Sequence, residues 1–389
     1  MINRKNNIVF AIIGAGNGGC AMAAHLSILG FKVNLYNRSE DKLKDIKENG
    51  GIELKGAIKG FGVLNKITSD IEDAIRDTDI IMITTPATGH RDIATLAAPF
   101  LREGQTIVLN PGRTGGALEF RNVLRRKGVR KDVVIAEAQT FIYACRLEEP
   151  ALVKVFSVKN KVDIAAIPAY KTRKVVKMLN KAYPQFCGAK NILETSLNNI
   201  GAVFHPAPTI LNSARIETTG GNFEYYIEGI SPSVAKVVEN IDNERLKVAK
   251  ALGVAVDSAL EWLRYTYGVQ GENLYEAIQN TKAYKGIGAP GNLNVRYIFE
   301  DVPESLVPIA SFGELVGIPT PTIGSIIEMA SVMHDIDYWE VGRTVDKLGL
   351  KGLNLSQIYQ LVQEGSVLFP EDISDNDISI YEDDDVIAI

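Results

Sequence analysis

Three groups of residues have the types and spacing to do chemistry. The first is His205, in Gly201-Ala202-Val203-Phe204-His205-Pro206-Ala207-Pro208. Imidazole is the natural general acid/base near neutral pH, but a lone histidine is more often structural than catalytic. The second group is Asn294-Val295-Arg296-Tyr297-Ile298-Phe299-Glu300-Asp301-Val302-Pro303, which packs one cation and two carboxylates into a short span. An aspartate beside a histidine fixes its tautomer and stabilises the protonated ring, and an arginine can grip a substrate carboxylate through two parallel hydrogen bonds. The competing reading of this group is a surface salt-bridge cluster. The third is Gly14-Ala15-Gly16-Asn17-Gly18-Gly19, which has the glycine spacing of a dinucleotide-binding turn. There Gly14 permits the tight turn, Gly16 lets the backbone approach a pyrophosphate, and Gly19 lets the following helix pack closely on the strand.

The elements that must hold these residues follow from hydrophobic pattern. Residues 8–13 form a continuous apolar run, as a strand buried on both faces requires. The glycine loop follows, then a helix over 21–29 ended by Gly30. Strands are expected at 31–36, 52–54, 57–63, 80–84, 106–109 and 133–136, with helices over 70–76 and 91–101 between them. This alternation predicts an α/β fold, a doubly wound parallel sheet of the Rossmann type. Residues 153–158, 162–167 and 170–182 read as further sheet and helix, closing a dinucleotide-binding domain at 1–190. Beyond residue 191 strand-like runs vanish and helical patterns dominate, at 231–252, 255–267, 271–281 and 322–334. We therefore expect a mostly helical substrate domain over 191–389, with an acidic tail at 371–385.

The end of the second strand bears on cofactor choice. An Asp or Glu there would bind a ribose 2′-hydroxyl. Here it reads Tyr36-Asn37-Arg38-Ser39, with no acid before Glu40. Arg38 can pair with a 2′-phosphate and stack on adenine, so NADP is favoured over NAD; a solvated surface arginine is the competing reading. The loops Thr84-Thr85-Pro86-Ala87 and Asn110-Pro111-Gly112-Arg113 end two further strands at the sheet edge where cofactors lie. Asn17, Gly18, Thr85, Pro86 and Asn110 join the glycines, Asn37 and Arg38 as candidate cofactor contacts.

Composition narrows the function classes. Hydrophobic residues make up 46% and charged residues 23% of the 389, the profile of a soluble globular chain. A net charge of −5 argues against general binding to nucleic acid or an anionic membrane. The three cysteines are few, far apart and without metal-type spacing, so reduced thiols, a cytoplasmic location and no metal site are expected. The basic start, Met1 to Asn7, leads into an apolar run far too short to span a bilayer. A homodimer is expected, with the apolar stretch 318–333 as one possible contact.

At this point the chain resembles the octopine/nopaline (opine) dehydrogenases. The resemblance rests on the glycine loop, on Asn110-Pro111-Gly112-Arg113-Thr114-Gly115-Gly116, and on Glu137-Ala138-Gln139-Thr140 leading to Tyr143-Ala144-Cys145-Arg146. It continues through Phe204-His205-Pro206 and Arg296-Tyr297 with Glu300-Asp301-Val302-Pro303. It implies an NAD(P)H-dependent reductive condensation of an α-keto acid, such as pyruvate, with the amino group of an amino acid. It further implies His205 as acid/base paired with Asp301, and Arg296 on a carboxylate. The Asn37-Arg38 ending departs from the acidic ending of NAD-using members. Two competing readings remain. One is a hydroxy-acid or sugar-phosphate dehydrogenase with a catalytic lysine, for which Lys282 and Lys285 are the candidates. The other is a dinucleotide-binding sensor without catalysis.

Overall fold

The computed structural model describes residues 8–367, so Met1 to Asn7 and the acidic stretch 371–385 lie outside the described residues. Among the described residues there are twelve strands: β1 (Val9–Ile13), β2 (Lys32–Tyr36), β3 (Gly51–Gly56), β4 (Gly60–Val63), β5 (Lys66–Thr68), β6 (Ile80–Ile83), β7 (Thr106–Leu109), β8 (Val134–Ala138), β9 (Tyr143–Glu149), β10 (Leu152–Val158), β11 (Val162–Ile167) and β12 (Phe186–Gly188). Eight of them form one sheet in the order β12-β11-β8-β7-β6-β1-β2-β5. The six strands from β8 to β5 run parallel, as the Rossmann pattern predicts. The order turns back at β1, so the crevice between the ends of β1 and β6 is where such sheets bind ligands.

β1 shows why this sheet is central. Its residues point alternately to opposite faces. Phe10 and Ile12 join one core cluster and Ala11 and Ile13 the other, and all four are fully buried. The core on the Ala11 side runs without a break into the helical half of the chain, through Val203, Phe204, Val238, Ile298 and Phe312. The sheet therefore serves as one wall of the region that holds His205.

Three details differ from expectation. The helix after the glycine loop begins at Asn17, not residue 21, so Gly18 and Gly19 lie in its first turn. Helix propensity argues against glycine there, but close packing requires it: a Cβ on Gly19 would lie 1.7 Å from the Gly14 carbonyl oxygen. Second, residues 153–158 do not extend the main sheet. They form β10 of a separate four-stranded sheet, β4-β3-β10-β9, in which β10 pairs parallel with β3 and antiparallel with β9. Third, β11 pairs antiparallel with β8, so the sheet is mixed at that edge.

The later helices follow the periodicity: Pro232–Ala251, Ala259–Tyr267, Leu274–Asn280 and Pro321–His334. The chain then returns to the sheet, where the helix Leu355–Glu364 packs near β11 and the Arg121 side chain donates to the Gly365 carbonyl. Among the described residues no helix is long and apolar enough to cross a membrane, and Cys20, Cys145 and Cys187 are free.

Candidate active site

The glycine loop is built to hold a phosphate-bearing ligand. Gly14 has φ +114°, a conformation that strains any L side chain. Its amide donates to the Tyr36 carbonyl at 2.8 Å. A Cβ on Gly16 would meet nothing within 4 Å, which leaves the backbone open to approach at the helix N-terminus. Two asparagines brace this loop from either side. Asn37 Oδ1 accepts from the Ala15 amide at 3.1 Å, and Asn17 Oδ1 accepts from the Leu147 amide of β9 at 2.9 Å. The second sheet is thus a buttress for the loop.

A cavity of about 400 Å³ opens beside it, lined by Gly14, Asn37, Arg38, Lys42, Thr85 and Pro86 among others. Asp92, on the helix His90–Ala97, is the acid among its walls. The Thr85 hydroxyl is buried without a hydrogen-bond partner, a polar group that a ligand in the crevice can satisfy. Open backbone, positive groups and an unpartnered hydroxyl fit a nicotinamide dinucleotide. Asn110 is placed differently. It is buried, its side-chain amide donates to the Val108 carbonyl at 2.8 Å, and it shapes its own loop without lining this cavity. A cavity of about 290 Å³ beside Arg121 and Lys171 lies at the opposite edge of the sheet, next to the start of β8. It takes no part in the site.

His205 lies in the helical half, between the short helices Gly201–Phe204 and Pro206–Leu211. Pro206 opens the second helix, a position where its missing N–H costs nothing. The His205 carbonyl accepts from Thr209 Oγ1 and from the Tyr225 hydroxyl, each at 2.7 Å, which fixes the backbone under the ring. Nδ1 lies 2.8 Å from Asp301 Oδ2. With Nδ1 holding a proton toward this carboxylate, Nε2 is the nitrogen left to exchange protons. Tyr297 covers one face of the ring, with centroids 4.3 Å apart and planes 16° apart.

Asp301 is itself anchored. Arg113 Nη1 lies 2.9 Å from its Oδ1, and Ser305 Oγ reaches the same oxygen at 3.5 Å. Arg113 projects from the loop after β7 with φ +60°, a left-handed backbone uncommon outside glycine. Gly201 leaves room for the guanidinium, since a Cβ there would lie 2.7 Å from Arg113 Nη1. Arg113 Nη2 also reaches Glu300 Oε2 at 3.5 Å, and Arg296 Nε lies 2.5 Å from that oxygen. Glu300 Oε1 accepts from the Ala87 amide, in the loop after β6, at 3.0 Å. Burial opposes ionisation of Glu300, but the Arg113 charge, the Arg296 bond and charge, and the Ala87 amide outweigh it and hold its pKa at about 2.

A second buried arginine sits behind the first. Arg343 is fully buried, with Nε 2.7 Å from Glu119 Oε2 and 2.5 Å from Glu304 Oε2. Its terminal nitrogens donate to the carbonyls of Gly112 at 2.9 Å and Ala87 at 3.2 Å. It therefore holds the loops after β6 and β7 together. Burial pushes Glu304 up to about 7 even with Arg343 beside it.

The structure thus brings His205 and Asp301 into contact and places Arg296 at the rim, with its side chain 57% exposed. Arg113, Tyr297 and Glu300 stand inside recognisable motifs of the sequence without roles of their own, and Arg343, Glu119 and Glu304 stand outside them. An arginine beside Pro111-Gly112 at a strand end was the available signal for Arg113. Among the described residues no cluster of three His, Cys, Asp or Glu side chains could hold a metal.

The ion pairing makes a pH prediction. The depressed pKa of Glu300 means that its ionised form stabilises the fold above its ordinary value of 4.5, and that this is lost as pH falls toward about 2. Glu300→Gln should lower unfolding stability at pH 7 by about 3 kcal/mol at most, with the difference shrinking between pH 4.5 and 2. Denaturant unfolding of both proteins across pH checks this. An unchanged difference at low pH would refute the assignment.

Comparison with known proteins agrees with this geometry. A family model described as NAD/NADP octopine/nopaline dehydrogenase, alpha-helical domain, matches residues 188–334. One described as NAD-dependent glycerol-3-phosphate dehydrogenase N-terminus matches residues 9–116. The chain is 42% identical to the opine dehydrogenase of Arthrobacter sp. (strain 1C), over 91% of this chain and 98% of that protein. Its fold is similar to octopine dehydrogenase solved with NADH and L-arginine, with a TM-score of 0.77 and 21% identity over 93% of this chain and 99% of that one. It is also similar to NADP+-bound yersinopine dehydrogenase, with a TM-score of 0.67 and 14% identity over 92% and 98% of the two chains. The chain belongs to the octopine/nopaline family of opine dehydrogenases, NAD(P)-dependent oxidoreductases acting on CH–NH bonds.

Proposed function

We propose that this chain reductively condenses a pyruvate-like α-keto acid with the amino group of an amino acid, with His205 as acid/base and NADPH as the favoured cofactor. The observation that carries the reading is the 2.8 Å contact of His205 Nδ1 with a buried Asp301 that Arg113 holds in place. Nε2 of His205 accepts the proton that the substrate ammonium must lose before its nitrogen can attack the keto carbon. Asp301 stabilises the imidazolium formed in this step. The same proton returns to the carbinolamine hydroxyl as water leaves and the C=N bond forms. A bound reduced dinucleotide supplies the hydride that reduces this bond. The terminal nitrogens of Arg296, which make no hydrogen bond among the described residues, orient the keto acid carboxylate.

Support for NADPH is the strand end. Asn37 is tied to the Ala15 amide, while Arg38 and Lys42 line the cavity together. Free cysteines support a cytoplasmic location. The exposed Met329, Val332 and Met333 of helix Pro321–His334 support a homodimer through that face. The division into a dinucleotide domain at 1–190 and a helical substrate domain beyond it rests on the end of β12 at Gly188.

Oxidation of NADPH and of NADH, each with pyruvate and pooled L-amino acids, is the direct test. Oxidation with keto acid alone would refute the reading. His205→Ala should lower kcat roughly a hundred- to ten-thousand-fold while NADPH binding persists; unchanged turnover would remove His205 from the mechanism. Arg38→Asp should lower kcat/KM with NADPH by about tenfold or more and spare NADH. Equal losses with both would assign Arg38 to some other role. Light scattering should give twice the chain mass, and Val332→Glu should shift it toward the monomer; a monomeric parent protein would exclude the dimer.

A further inference from the structure

Lys159 follows β10, directly after Val158. Its amide donates to the Ile142 carbonyl at 2.9 Å, and its Nζ donates to Thr140 Oγ1 at 2.6 Å. Thr140 belongs to the loop that leaves the end of β8. Beside it, Gln139 Nε2 donates to the Asn198 carbonyl at 2.9 Å, at the foot of the segment that carries His205. On its other side the Phe141 ring lies where a Cβ on Gly18 would be, 2.6 Å away. The ammonium is therefore bonded to a loop that touches both the helix of the glycine loop and the helical half.

This cation has no ion pair among the described residues, and Thr140 uses only one of its three donors. Lys161, two residues on, is by contrast paired with Asp163. The Lys159 side chain is exposed. Partial desolvation, and then the charge of Arg113, bring its pKa down to about 8. A cation without a counter-ion, within the field of another cation, is favourably placed to take an anion.

Arg296 also has unfilled donors. Its partner Glu300 ties it to Ala87, after β6. Lys159 is tied to the loop after β8. Between them Arg113, from the loop after β7, is occupied by Asp301 and Glu300 and holds the partner of His205. The strand order β6-β7-β8 thus puts the loop that Glu300 touches on one side of Arg113 and the loop that Lys159 touches on the other. The product of reductive condensation carries a carboxylate on each side of one nitrogen, which is the same arrangement of charge with opposite sign.

We infer that Lys159 holds the carboxylate of the amino acid substrate, across the cleft from the keto acid carboxylate at Arg296, and so makes the site select α-amino acids over amines that lack a carboxylate. This rests on the opine reading above. The test takes the best of the twenty L-amino acids with pyruvate and NADPH, and compares it with the amine that lacks its carboxylate. Lys159→Met should raise the KM for the amino acid about tenfold or more and leave the KM for pyruvate within about twofold. The preference for amino acid over amine should fall by about tenfold, and Lys159→Arg should retain much of it. NADPH affinity and Tm should match the parent in both variants. An active parent enzyme whose preference survives Lys159→Met, or a rise in the KM for pyruvate alone, would overturn this inference while sparing the opine reading. A parent enzyme inactive with every amine would overturn both.

Discussion

Two adjacent carboxylates, Glu300 and Asp301, are buried almost completely at the junction of the sheet and the helical half. Side by side in a poorly solvated place they would repel and protonate. The Arg113 guanidinium reaches both, and with Arg296 and the Ala87 amide it holds Glu300 in its ionised form. Such a cluster adds little net stability, because desolvation offsets attraction and an apolar replacement often does as well. What it supplies is position. One carboxylate is aimed at His205 and the other at the Ala87 amide, so His205 and the crevice beside the glycine loop are located by the same cation.

The helical half contributes the complementary constraint. Arg343 comes from beyond helix Pro321–His334, yet it reaches back to the carbonyls of Gly112 and Ala87. It thereby grips both flanks of the loop from which Arg113 projects, since Thr114 also offers it a carbonyl at 3.4 Å. The left-handed backbone at Arg113 is held on either side, as strained residues at functional sites must be. Two arginines, one projecting and one buried behind it, convert the end of a parallel sheet into a platform for chemistry on the next half of the chain.

The parts of this arrangement that could be read from sequence are those with local causes. The glycine loop was legible because its demands are largely local: Gly14 takes a left-handed backbone, and Gly19 packs against the Gly14 carbonyl. The parallel strands were legible because burial on both faces leaves continuous apolar runs. The pairing of His205 with Asp301 spans 96 residues, and family resemblance identified it where spacing could not. The second sheet was not legible. Its parallel pairing of β10 with β3 joins distant segments, and β9 alternates exposed and half-buried residues with little apolar signal. Arg343 was hidden for the same reason. Nothing in Val341-Gly342-Arg343-Thr344 marks it, and its partner Glu119 lies 224 residues away.

The ring of Tyr297 lies flat on His205, and this limits how a ligand can approach. One face of the imidazole is closed, which leaves its other face and the in-plane Nε2 edge. Under the proposed reaction, that restriction and the fixed position of the glycine loop would together bear on which face of a planar C=N bond is reduced.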